Sequence, residues 1–141
     1  MDGQELSDRQ EIVDLITRYT RAVDTKSFDP VDVFTDDAIL DYSAAGGPAA
    51  APREALAWVA EMMQIFDRWQ HTIGQVAIQF DGDSRDSATA TAYFLNPMII
   101  KEEAGEKLVE VGGYYHHDLR RTPDGWRSTR MVDDVVWTRG F

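Results

Sequence analysis

The sequence predicts an α+β fold in which a curved antiparallel sheet wraps over N-terminal helices. Two observations lead there. Apolar residues recur at helical spacing in two segments before residue 67, and from Gln70 onward they alternate between turn signals, as strands do. Helices segregated to one face of such a sheet make an α+β domain, and a curved sheet leaves a concave site between the layers. The length of 141 residues suits a single domain, residues 1–141, with a core of its own.

The first helix is predicted over about residues 7–23. Ser7 followed by Gln10 has the form of a capping box, and Ile12, Leu15, Ile16, Tyr19 and Val23 make one apolar stripe. Asp24 comes where that stripe ends. Val31, Val33 and Phe34 suggest a short helical turn after Pro30, and residues 38–42 a short strand. Beyond a loop rich in Ala, Gly and Pro, Pro52 suits the first turn of a second helix reaching about residue 66. Leu56, Val59, Met62, Met63 and Phe66 lie along one side of it. Strands are then predicted at 70–80, 87–100, 108–121 and 126–139, joined by Asp81-Gly82-Asp83, a charged hairpin loop at 101–107 and Thr122-Pro123-Asp124-Gly125. Pro97 has no amide donor, so it predicts a bulge or an edge position in its strand.

Composition narrows the function classes. The chain has no cysteine, which excludes disulfides, iron–sulfur clusters, thiolate zinc sites and cysteine nucleophiles. Its formal net charge is −11. Nucleic acids are bound largely by cations set against phosphates, and this surface repels them, as it does anionic membranes. No stretch approaches the ~18 apolar residues that span a bilayer. Met1-Asp2-Gly3-Gln4-Glu5 has neither the basic region nor the apolar run of a signal peptide, so a cytoplasmic location is expected.

The chemistry-bearing residues are few. His71 opens the first long strand, and only histidine titrates near neutral pH unperturbed. His116 and His117 are adjacent on a strand, so their side chains take opposite faces and at most one looks into a pocket. Such a pair cannot chelate a metal from one face, and no metal site is expected. No Gly-rich phosphate loop follows a strand, and no serine has a nucleophile-elbow context. Asp24 has two readings: a plain helix-end aspartate, or a buried carboxylate that orients a histidine as a general base. Tyr19, Tyr42, Trp58, Met62, Met63, Phe66, Tyr93, Met98, Tyr114 and Met131 are ordinary core residues in the main. A subset with hydroxyl groups facing inward would suit an apolar, ring-containing ligand.

Four segments together resemble a known family: Tyr19-Thr-Arg-Ala-Val-Asp24-Thr-Lys, Leu40-Asp41-Tyr42, Gln70-His71-Thr-Ile-Gly74, and Gly112-Gly113-Tyr114-Tyr115-His116 leading to Asp124-Gly125-Trp126. Their order and spacing are similar to the scytalone dehydratase and SnoaL-like polyketide cyclase branch of the nuclear transport factor 2-like superfamily. That resemblance implies a cone-shaped roll without a cofactor, with Asp24 paired to His71 and with Tyr42 and Tyr19 as catalytic tyrosines. It implies that Tyr114 and His116 face the pocket while His117 and Tyr115 face outward. Trp58, Met62, Phe66, Asn96, Met98 and Met131 are expected to complete the ligand site. A second histidine of scytalone dehydratase falls at or near Met98, which cannot transfer a proton. The expected activity is that of a dehydratase-like lyase on a small apolar or polycyclic, polyketide- or steroid-like substrate. An isomerase or cyclase using the same pair, or a non-catalytic binding module, are the alternatives. Relatives of this kind form dimers or trimers, so a homodimer or homotrimer joined through the outer face of the sheet is expected.

Overall fold

Asp2 starts the first helix, its carboxylate accepting the Glu5 N–H at 2.8 Å. The helix, α1 (Gly3–Asp24), therefore begins a turn before the Ser7 signal, because Asp2 with Glu5 three residues on carries the same capping signature upstream. Ile12, Leu15, Ile16, Tyr19 and Val23 are buried, as their spacing requires. The computed structural model describes all 141 residues.

After α1 the chain turns through left-handed Lys26 (φ 65°) and Phe28 (φ 51°). The helical turn expected after Pro30 is replaced by a turn at Asp32 (φ 60°) that leads straight into β1 (Phe34–Asp41). β2 (Ala49–Ala50) and α2 (Pro52–Met62) follow, and a 3-10 turn at Met63–Ile65 extends α2. The remaining strands are β3 (Arg68–Trp69), β4 (Thr72–Phe80), β5 (Ser87–Glu102), β6 (Gly105–Thr122) and β7 (Gly125–Arg139). They form one curved, unclosed seven-stranded sheet in the order β2-β1-β7-β6-β5, with β3 and β4 both pairing the far side of β5. The sheet is mixed, because β1 docks parallel on the edge that β7 leaves free. Register shifts in the β6–β7 ladder, at Gly112/Gly113 and Asp118/Leu119, add to its curvature. The loop expected at 101–107 is a tight turn instead. All its charges but Glu103 lie on strand ends, which Arg68–Glu106 (2.8 Å) and Lys101–Asp67 (3.1 Å) pairs brace.

Pro97 decides how the far edge is built. Its strand pairs β6 without a break, Asn96 opposite Val111 and Met98 opposite Val109, so it carries no bulge there. The Pro97 carbonyl instead accepts from the Gln70 N–H at 3.2 Å, on the side of β3 and β4. In an antiparallel strand a residue's N–H and C=O point to the same neighbour, so the missing donor also faces that side. There the partner strand is interrupted between Trp69 and Thr72. The interruption releases His71 from the ladder.

The core fills the space between α1, α2 and the concave face of the sheet. At the N-terminal end of α1, buried Asp8 accepts two N–H groups of Arg121 (both 2.9 Å) and the Trp126 indole N–H (3.1 Å). The Arg121 hydrogen bonds lower its pKa to about 2, against the cost of burial. This cluster ties α1 to the β6–β7 hairpin. No helix is long and apolar enough to cross a membrane.

Candidate active site

At the opposite end of α1, Asp24 is the last helical residue. A carboxylate there opposes the helix dipole, an unfavourable placement of about 0.3–1 kcal/mol unless other contacts offset it. His71 provides them. Asp24 Oδ2 accepts the backbone N–H of His71 (2.9 Å), the group freed by the interruption opposite Pro97, and Oδ1 lies 2.6 Å from His71 Nδ1. Trp69 fastens the arrangement by donating its indole N–H to the Val23 carbonyl (3.3 Å). The two side chains are only 7% (His71) and 17% (Asp24) exposed, so water competes little for the bond. A carboxylate can only accept, which assigns the hydrogen to Nδ1 in the neutral ring and leaves the Nε2 lone pair without a protein partner.

His71 forms part of the wall of a cavity of about 340 Å³ between the end of α1, α2 and the concave face of β5, β6 and β7. Sixteen of its twenty lining residues are apolar and none is Lys or Arg, so it suits a neutral, mainly apolar molecule. Phe94 and Tyr115 stack at 4.4 Å beside the imidazole, and Trp58 packs 5.8 Å from Tyr42. Trp58, Met62, Phe66, Asn96 and Met98, all expected at a pocket, line this one together with Tyr42. Tyr19 lies behind Tyr42, with their hydroxyls hydrogen-bonded. Burial pushes the Tyr19, Tyr42 and Tyr115 phenols above their usual value, which keeps them protonated and able to donate. No three His, Asp or Glu side chains converge as a metal-binding group.

Three expected pocket residues lie elsewhere. Met131, wholly buried, pairs with Leu40 and His117 deeper in the core and does not reach the cavity wall. Tyr114 and His116 lie on the outer face, His116 bonding Asp134 (2.9 Å) and Thr91 (3.0 Å). Their neighbours Tyr115 and His117 point inward, the reverse of the expectation. Register is the cause: Tyr115 lies opposite Ala92 and His117 opposite Ala90, and those buried alanines leave room for the larger side chains. His117 Nδ1 lies 2.9 Å from Ser128 Oγ, and burial lowers its pKa to about 4.

One acidic cavity residue escapes sequence reasoning. Asp133, across β6–β7 from Tyr115, is 8% exposed, lines the cavity and has no side-chain hydrogen bond. Burial first, and then the nearby Asp134 and Asp41 carboxylates, raise its pKa to about 7. Its signal lay in strand parity, since Asp133 follows Met131 by two and shares its face. Nothing local separates it from an exposed charged pair with its acidic neighbour.

The SnoaL-like domain family matches residues 4–132, from the first turn of α1 through the helix-end aspartate and β6 to the first half of β7. The chain belongs to that family. An uncharacterised protein of Mycobacterium tuberculosis is 35% identical over 130 residues, 92% of this chain and 86% of the relative. Among solved structures, a Kribbella flavida protein superposes with a TM-score of 0.81 at 25% identity, covering 96% of this chain and 95% of its own. A hexachlorocyclohexane dehydrochlorinase of Novosphingobium barchaimii shares the fold at a TM-score of 0.79 and 16% identity, covering 97% and 92% of the two chains.

Proposed function

We propose that this SnoaL-like protein is a cofactor-independent acid–base enzyme, a dehydratase-like lyase acting on a neutral, ring-containing substrate. The observation that carries the reading is the Asp24–His71 bond at the wall of an apolar cavity, with Nε2 unpartnered. His71 Nε2 removes a proton next to a substrate carbonyl, and Asp24 stabilises the imidazolium that forms. Tyr42 donates a hydrogen bond to the oxygen that becomes anionic, while Tyr19 behind it donates to Tyr42 and polarises that phenol. Elimination follows where the substrate carries a leaving hydroxyl. The shared fold with a dehydrochlorinase is in keeping with elimination, although fold alone selects no reaction.

A second reading rests on Met98. It lines the cavity at the place where the resemblance sets a second histidine, and it cannot protonate a leaving group. An isomerase or cyclase uses the same base without losing water. Solvent-deuterium exchange tests what both enzyme readings share. In D2O the protein should exchange the α-protons of cyclohexanone, and His71→Ala should lower the rate by ~10²–10⁴-fold. A rate in His71→Ala within a few-fold of the natural chain would contradict both and leave a binding module.

A further inference from the structure

The geometry points to Asp133 as a second catalytic residue, the acid that protonates the departing oxygen of the substrate. The inference rests on His71 being the base, and it supplies the proton donor that Met98 cannot.

The argument starts from an unusual placement. A carboxyl more than nine-tenths buried is ordinarily hydrogen-bonded or ion-paired, because stripping it of water is costly. Asp133 has neither kind of partner, and its side chain lines the cavity instead. Its side chain opens on the cavity, so a molecule that enters there can become its partner. No Lys or Arg lines the wall, so nothing there holds the group as a carboxylate. Its pKa, raised to about 7, is in keeping with a group that carries a proton near neutrality and can release it.

Position separates its role from that of His71. Tyr115 stands between the two: its ring is 6.5 Å from the His71 imidazole, and its cross-strand partner on β7 is Asp133. A ring-sized substrate over Tyr115 meets the base on one side and the acid on the other. His71 Nε2 takes the proton from the carbon beside the carbonyl, and the C–H electron pair passes through the enolate into the new C=C bond. The C–O bond of the neighbouring carbinol breaks with its pair on oxygen. That oxygen takes the Asp133 proton and leaves as water. His71 ends with one proton more and Asp133 with one fewer, and exchange with solvent restores both. The substrate class that fits is a neutral cyclic β-hydroxyketone, since the cavity offers no cation to a carboxylate or phosphate.

The test uses 3-hydroxycyclohexanone in D2O with the full chain, Asp133→Asn and His71→Ala. NMR follows deuterium at the carbon between carbonyl and carbinol, and ultraviolet absorbance follows the enone; circular dichroism checks that each variant folds. Base and acid then read out separately. The natural chain should exchange and eliminate, and His71→Ala should lose both. Asp133→Asn should lower elimination relative to exchange by ~10²–10⁴-fold. An unchanged ratio in Asp133→Asn overturns the inference, as does a natural chain that exchanges without eliminating. A natural chain that does neither overturns both this inference and the lyase reading.

Discussion

Replacing Asp133 with Asn should stabilise the protein at alkaline pH while damaging its chemistry. The folded environment raises this carboxyl from 3.8 to about 7. Because the folded value lies above the unfolded one, the native state keeps the proton longer. The associated stability is complete below pH 3.8 and is lost as pH rises through about 7. At about 1.36 kcal/mol per tenfold change in proton affinity, ionising it in place costs about 4 kcal/mol by pH 8. Asn has nearly the same shape and has no proton to lose. Urea unfolding of both proteins at pH 5 and pH 8 reads the difference directly. At pH 8 the variant should gain about 4 kcal/mol, on the order of 10 °C in Tm for a chain of this size, and much less at pH 5. Equal stability at both pH values, or a variant weaker at pH 8, would refute the reasoning. A stabilising substitution that removes activity is what a group held in place for chemistry should give.

Three further outcomes follow from the same contacts. Asp24→Asn offers His71 Nδ1 an amide that can donate, which favours the wrong tautomer; α-proton exchange should fall by about 10²-fold or more. Asp8→Ala leaves the Arg121 fork and the Trp126 indole without their acceptor and should cost about 3 kcal/mol in urea unfolding. The Asp8 pKa is depressed from 3.8 to about 2, so its contribution is present above pH 3.8 and fades as pH falls through 2. His117 is depressed from 6.5 to about 4, so its share is present above pH 6.5 and is lost as pH falls toward 4. Over that interval it opposes Asp133. His117→Leu should flatten this acid limb, and Asp133→Asn should expose it, both seen in Tm against pH.

How much the sequence reveals depends on whether a feature is local. The α1 stripe from Ile12 to Val23, Pro52 at the head of α2 and the Thr122–Gly125 turn are fixed by neighbours within a few residues, and periodicity finds them. The helix-end position of Asp24 is legible in the same way. Its contact with His71 is not, because it depends on a strand broken opposite Pro97, where the informative proline and the freed amide are 26 residues apart. The facing of Tyr114 and His116 depended on which strand they would meet and in what register, and a register one residue away reverses every side chain. Asp133 was hidden by its neighbour. Beside Asp134, which does reach the outer face and His116, nothing local separates it from half of a solvated pair.

The most direct test needs no turnover. Nitrogen-15 NMR of the His71 imidazole reports which ring nitrogen carries the hydrogen and whether a ligand reaches the other. In the neutral ring the signals should show Nδ1–H toward Asp24 and a bare Nε2, and adding cyclohexanone should shift the Nε2 signal. A ring protonated on Nε2, or an Nε2 signal indifferent to the ketone, would contradict a base that faces its substrate.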